Sequence, residues 1–185
     1  MTGSDGEGMG KCAGNSAGKC EGGAAEPNVE PAFAVDAMLG TLAKWLRLSG
    51  YDTVFDGKLD DDSLLAVAIA EGRLLLTRDR GLADRAGKIG IYVDVIGSRE
   101  QLEFVKARLS PAPADALTRC SLCNGWLEGI DHAAARGMVP ESVLFRHSEF
   151  RYCRGCGKAY WLGSHKAKMD EVLEAPPASC GNGGI

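Results

Sequence analysis

Apolar residues along the first two-thirds of the chain fall into short continuous runs separated by stretches of helical spacing. The run Leu74-Leu75-Leu76, set off by Gly72 and closed by polar Thr77-Arg78-Asp79, has no room for an amphipathic helix. With its flanking glycine and the helical patterns on either side, it reads as a strand buried on both faces. Ala32-Phe33-Ala34-Val35 repeats the pattern and ends in Asp36, and Thr53-Val54-Phe55 and Ile91-Tyr92-Val93-Asp94-Val95 supply two further strands. Between the first two, Leu39, Leu42, Ala43 and Leu46 recur at the spacing of a helix face, with Lys44 and Arg47 on the other side and Gly50 as the stop. Leu64, Leu65, Ala68 and Ile69 make a second helix behind Asp60-Asp61-Asp62-Ser63, where an Asp or Ser oxygen can accept an orphan backbone N–H. A short helix over Arg80 to Ala86 and a last one from about Ser98 to Leu109 complete four strand–helix pairs. That order predicts an α/β fold, a parallel sheet flanked by helices.

Outside these blocks the pattern changes. Residues 1–31 are rich in Gly, Ala, Ser and Glu and carry almost no large apolar side chain, so an arm without fixed structure is expected. Gly14-Asn15-Ser16-Ala17-Gly18-Lys19-Cys20 inside it imitates a phosphate loop, but the spacing is one residue short, the last position is Cys and no strand precedes it. Ser110-Pro111-Ala112-Pro113-Ala114 reads as a stiff linker. The expected organisation is therefore an arm over 1–31, an α/β domain over 32–110, a linker over 111–117, a cysteine module over 118–170 and a flexible tail over 171–185.

In parallel sheets, ligands bind outside the carboxyl ends of the strands. Asp36, the Asp60 to Asp62 cluster and Asp79 should converge there, and like charges brought together repel unless something neutralises them. A divalent cation does so. Hard oxygen ligands with open positions favour Mg2+ or Mn2+, which reach phosphate oxygens and can assist hydrolysis of a phosphodiester. The competing reading is that these acids are separate helix caps and surface charges.

Beyond the linker, Cys120-Ser121-Leu122-Cys123 and Cys153-Arg154-Gly155-Cys156 offer four thiolates, the donor set of a closed tetrahedral structural Zn2+ site, with Gly125 and Gly157 suited to the turns behind each pair. An insertion is expected around Asp131 to Glu141, and an iron–sulfur cluster would also fit the spacing. Cys12, Cys20 and Cys180 are expected to take no part, and His132, His147 and His165 to be surface or packing residues. The formal charge of −4 conceals a gradient, because residues 118–169 carry 8 Lys or Arg against 4 Asp or Glu, a net +4 that leaves −8 elsewhere. Trp126, Phe145, Phe150, Tyr152, Tyr160 and Trp161 interleave with Arg146, Arg151, Arg154, Lys158, Lys166 and Lys168, which suits stacked bases and phosphates as well as it suits a miniature core. No apolar run reaches membrane-spanning length and the amino terminus lacks the apolar segment of a signal peptide, so a cytoplasmic protein without membrane attachment is expected.

Phe33-Ala34-Val35-Asp36-Ala37-Met38-Leu39-Gly40, Leu42-Ala43-Lys44-Trp45-Leu46-Arg47-Leu48-Ser49-Gly50-Tyr51-Asp52, Leu75-Leu76-Thr77-Arg78-Asp79, Arg119-Cys120-Ser121-Leu122-Cys123-Asn124-Gly125 and Tyr160-Trp161-Leu162-Gly163-Ser164-His165 together resemble the Mut7-C family. The resemblance runs from about Phe33 to Met169. It implies a PIN-like ribonuclease domain fused to a zinc ribbon, with metal-dependent cleavage of RNA. Asp36, Asp61 and Asp79 match the family's acidic positions and Thr77 the Thr of its T-x-D turn, while a fourth acid is open between Asp94, Asp62 and Asp84. Arg78, Lys44, Arg47, Lys166 and Lys168 are the expected nucleic-acid contacts. The alternative is a non-catalytic adaptor whose ribbon grips RNA or a protein. Phosphoryl transfer through an Asp nucleophile is disfavoured, because the lysine such chemistry uses at a later strand end is absent.

Overall fold

The computed structural model describes residues 30–109 and 116–161. Its larger sheet is parallel throughout, built from β1 (Phe33–Val35), β2 (Thr53–Val54), β3 (Leu74–Thr77) and β4 (Gly90–Tyr92) in the order β2-β1-β3-β4. The helices are α1 (Gly40–Leu48), α2 (Asp61–Ala70), α3 (Arg80–Ala86) and α4 (Ser98–Lys106), with a 3-10 turn entering α1 and another between α3 and β4. The expected strand–helix order is present, with β4 ending two residues past its start and α4 three residues short of the expected end. Beyond Tyr92 the chain leaves the ladder, and Val93 N donates to Thr77 O (2.8 Å) as the last tie to β3.

Side-chain alternation in the central strands divides the interior in two. Phe33, Val35 and Leu76 point to one face and pack with Leu42, Ala43 and Leu46 of α1 and Leu102 and Val105 of α4. Ala34 and Leu75 point to the other, against Leu64 and Ala68 of α2 and Leu82 of α3. Both faces of β1 and β3 are thus covered by helices. This is why the two strands read as unbroken apolar runs rather than as alternating ones.

The order of the strands fixes where chemistry can occur. From β1 the chain moves outward to β2 on one side, then crosses to β3 on the other, so the connections leaving β1 and β3 diverge. A crevice at the carboxyl ends of these two neighbours is the topological switch point of an open α/β sheet. Asp36 follows β1 and Asp79 follows β3.

A second, antiparallel sheet comprises β5 (Leu127–Ile130), β6 (Phe150–Cys153) and β7 (Ala159–Trp161) in that order. Two one-turn helices, α5 (His132–Ala135) and α6 (Glu141–Leu144), fill the connection between β5 and β6, where the insertion was expected. They are held by a small core of Ala135, Val139, Leu144 and Phe150. Asp131 Oδ1 caps α5 by accepting from Ala134 N (2.7 Å), and His132 Nε2 donates to Leu144 O (2.8 Å), so this histidine serves the insertion. The arm up to residue 29, the Ser110 to Ala114 linker, Lys166, Lys168, His165, the tail, and Cys12, Cys20 and Cys180 lie outside the described residues.

Leu76 is fully buried while Ile69 on α2 is 65% exposed. Denaturant unfolding of Leu76→Ala should show a loss of about 2–5 kcal/mol, a transfer plus cavity effect. Ile69→Ala should stay within roughly 0.5 kcal/mol of the parent chain.

Candidate active site and metal centre

Three residues at the switch point are joined by short hydrogen bonds. Thr77 Oγ1 donates to Asp36 Oδ2 (2.7 Å) and accepts from Asp79 N (2.9 Å). Thr77 is fully buried and Asp36 nearly so, whereas Asp79 is exposed. A buried hydroxyl at this position has one proton to give and lone pairs to offer, and both functions are used. Asp79 is also the N-cap of α3, its Oδ1 accepting from Leu82 N (3.0 Å). Each carboxylate has one oxygen engaged within the fold, Asp36 through Oδ2 and Asp79 through Oδ1.

The acidic cluster on α2 separates into distinct roles. Asp60 is the N-cap, accepting from Ser63 N (2.7 Å), and this bond with Ser63 holds its carboxyl below the usual range. Asp62 Oδ1 accepts from Arg85 Nη2 of α3. Asp61, exposed in the first turn of α2, has neither function, and topology puts that turn at the same edge of the sheet as Asp36 and Asp79. Of the other candidates for a fourth acid, Asp94 and Asp84 are both exposed, and both lie close enough to Arg80 to act on its charge. No three carboxylates among the described residues bring oxygens within 4.8 Å of one another. Mg2+ keeps several waters and is bound through one or two carboxylates beside substrate phosphates.

The four cysteines do form such a group. Their Sγ atoms all lie within 4.8 Å of one another, with Cys120 to Cys156 at 3.5 Å and Cys123 to Cys153 at 3.4 Å. Bonds of 2.3 Å to a tetrahedral ion put sulfurs about 3.8 Å apart. The set can therefore hold a metal such as zinc. The two Cys-x-x-Cys turns are built alike, since Asn124 N donates to Cys120 O (2.9 Å) and Gly157 N to Cys153 O (2.8 Å). The residue after each pair is left-handed, Asn124 at φ 65° and Gly157 at φ 74°. Asn is the side chain that tolerates this region best after glycine. Gly125 has a different task from the turn role expected of it, because a Cβ there would stand 3.3 Å from Cys153 Sγ and 3.4 Å from Cys123 Sγ.

Metal-binding thiols must lose their protons. Burial pushes the Cys120 thiol up, but hydrogen bonds from Tyr160 Oη (3.0 Å) and from the amides of Cys123 and Leu122 outweigh it and bring its pKa down to about 6. Tyr160 Oη also meets Ser121 N and Ser121 Oγ, both at 3.1 Å. An outer partner of this kind orients a ligand as well as tuning it.

The structure differs most from the sequence reading at Arg47. It was expected on the solvent side of α1 as a nucleic-acid contact, yet it is only 4% exposed. Its Nε donates to Thr53 O (2.9 Å), and its Nη1 to Leu122 O (2.8 Å) and Ser121 O (3.2 Å) in the first cysteine turn. Helical spacing placed Arg47 opposite the sheet-facing stripe, but that side of α1 is covered by the cysteine module. Lys44 is exposed as expected and Arg78 is half-buried at the end of β3.

Arg47 belongs to a network at the amino end of β2 that sequence reading missed. Asn124 Oδ1 accepts from Thr53 N (3.1 Å), and Asn124 Nδ2 donates to Asp52 Oδ1 (2.8 Å). Asp52 pairs as well with Arg73 (2.8 Å) and Arg119 (3.5 Å). Burial alone would raise the Asp52 carboxyl, but hydrogen bonds from Arg73 and Asn124 and the Arg119 charge pull it below the ordinary range. One signal was available in the sequence: Asn124 occupies the place after Cys123 that Gly157 occupies after Cys156.

The family model of the Mut7-C RNAse domain matches residues 31–173, most of the chain, and covers both sheets. The protein belongs to the Mut7-C RNAse family. Membership marks it as nuclease-like. Neither the curated proteins nor the solved structures hold a match to it. Among the described residues, no helix is long and apolar enough to cross a membrane.

Two measurements check these sites. Purified chain should carry one zinc, with Zn–S distances near 2.3 Å by X-ray absorption, and Cys120→Ser or Cys153→Ser should lose it while Cys12→Ser keeps it. Asp52 has a depressed folded pKa, so its stabilisation is complete above the unfolded value of about 3.9 and disappears as pH falls through the folded one. Asp52→Asn should start with a lower melting temperature at neutral pH and lose less of it than the parent chain between about pH 5 and pH 2.

Proposed function

We propose that this chain is a metal-dependent ribonuclease that hydrolyses RNA phosphodiester bonds at the carboxyl edge of a PIN-like domain, with a zinc ribbon assisting RNA binding. The observation that carries this reading is the Asp36–Thr77–Asp79 hydrogen-bond chain at the switch point, in a chain of the Mut7-C RNAse family. Asp36 and Asp79 would hold Mg2+ or Mn2+, with Asp61 contributing from the first turn of α2. Such an ion, when bound, activates water and stabilises a leaving oxygen.

The chain's own residues have separable tasks. Asp36 is held by Thr77 through one oxygen, which leaves the other for a cation. Asp79 is held by its backbone through Thr77 and by its side chain through Leu82 N, which fixes its rotamer at the mouth of the crevice. A site positioned from strand ends and a helix cap keeps its geometry without the metal, as preorganised charge stabilisation requires. Arg78, beside the acids, and Lys44 are the described cations assigned to phosphate, joined by Lys166 and Lys168; buried Arg47 is not among them. The network at Asp52 ties the first cysteine turn to the amino end of β2, the edge of the sheet opposite the acids.

Cleavage of single-stranded and structured RNAs with Mg2+, Mn2+ or EDTA tests the proposal. Asp36→Asn and Asp79→Asn should abolish metal-dependent cleavage while RNA binding is kept or tightened, because a negative charge facing phosphate is removed. Exchanging Lys166 and Lys168 for Ala should weaken binding and reduce its salt slope by about 0.7 for each phosphate of a single strand that is no longer neutralised. Wild-type protein that binds RNA and never cuts it with either ion would assign the chain to the adaptor class.

A further inference from the structure

Arg47 is buried where a cation needs a counter-charge, and it forms no ion pair with a carboxylate among the described residues. Its three hydrogen bonds all go to backbone carbonyls, which satisfy its donors without neutralising it. Among the negative groups acting on it, the sulfurs of Cys120 and Cys123 in their thiolate form weigh more than Asp52. A buried charge without a close counter-charge is destabilising, so negative charge at the cysteines stabilises the guanidinium.

The two carbonyls in the first cysteine turn that accept from Arg47 are not arbitrary. The Ser121 carbonyl shares a peptide unit with the Leu122 N–H, and the Leu122 carbonyl shares one with the Cys123 N–H. Those two amides are the backbone donors to Cys120 Sγ. A cation drawing electron density from a carbonyl makes the N–H of the same peptide a stronger donor, as in any polarised hydrogen-bond chain. Arg47 therefore reaches the Cys120 thiolate through two peptide groups in parallel. The same guanidinium holds Thr53 O on β2.

We propose that Arg47 is an outer-shell partner of the four-cysteine metal centre, and that through it metal occupancy of the cysteine module and the order of α1 and β2 in the nuclease-like domain are thermodynamically coupled. A tetrathiolate zinc centre carries excess negative charge, and the buried guanidinium bonded to the carbonyls of its first turn balances it. Coupling of this kind is reciprocal: whatever Arg47 contributes to metal affinity, the metal returns as stability around β2. Arg47 is a positioning residue here and touches no substrate.

The inference rests on the cysteines holding zinc, and the experiment distinguishes the two. Zinc affinity of the full chain is measured by competition with a chromophoric chelator, for wild type, Arg47→Met and Arg47→Lys. Arg47→Met keeps the apolar stem and removes the charge, and should weaken zinc binding about 10- to 100-fold, the usual effect of losing an outer partner. Arg47→Lys, with the charge but not the planar fork, should recover part of that loss. Equal zinc affinity in wild type and Arg47→Met, even with a lower melting temperature, would overturn the inference alone, whereas wild-type chain that takes up no zinc overturns both it and the metal reading. Should Arg47→Met fail to fold, hydrogen exchange in the wild-type chain decides. Stripping zinc should accelerate exchange at the Thr53 and Ser49 amides, and unchanged rates there would overturn the coupling.

Discussion

Strands β1 and β3 are covered by helices on both faces, and this constraint sorts the polar chemistry of the larger domain. An apolar strand in such a position can meet charged partners only where it begins and where it ends. At the carboxyl ends the chain places Asp36, Thr77 and Asp79, which bond to one another across neighbouring strands. At the amino ends it places Asp52 and Arg73, whose pairing joins the starts of β2 and β3. The two ends have different solvent exposure and different work. One is an acidic edge where Asp36 and Asp79 meet through Thr77, and the other is an interlocked junction of Asp52 with Arg73 and Arg119 that receives the cysteine module.

That junction changes how the cysteine module is understood. Four cysteines that can hold a metal stand in a small sheet with a modest core. Here the first cysteine turn is also a contact surface for a different domain, because Asn124 and the carbonyls of Ser121 and Leu122 all bond to residues of α1 and β2. Leu117 N donates to Leu48 O (2.8 Å) at the same seam, so the chain enters the module already tied to the end of α1. The second turn, around Cys153 and Cys156, has the same backbone geometry without these partners. The difference lies in Asn124: its amide reaches outward where the glycine at position 157 has nothing to extend.

The parts legible from sequence were those with a local cause. Apolar runs bounded by glycine gave the strands, helical spacing gave α1 and α2, and two Cys-x-x-Cys pairs gave the metal donors. The acids at strand ends were legible because parallel topology sends strand ends to one edge. Arg47 was not legible, since periodicity gives the face a residue occupies and cannot say what covers that face from 74 residues away. Asp60, Asp61 and Asp62 were ambiguous for a similar reason. Capping explains one of them in sequence terms, but only the approach of Arg85 from α3 separates Asp62 from Asp61.

β2 is two residues long and lies at the margin of its sheet. A strand in that position has backbone groups on its outer side that no neighbouring strand pairs, and such a margin is a template on which other chains can add strands. At Thr53 the N–H is taken by Asn124 and the carbonyl by Arg47, so side chains stand where a fifth strand would dock. The cysteine module is in this respect a cover for an adhesive surface. Loosening it would uncover the outward backbone groups of Thr53, so the module that can hold a metal also guards the open margin of the parallel sheet.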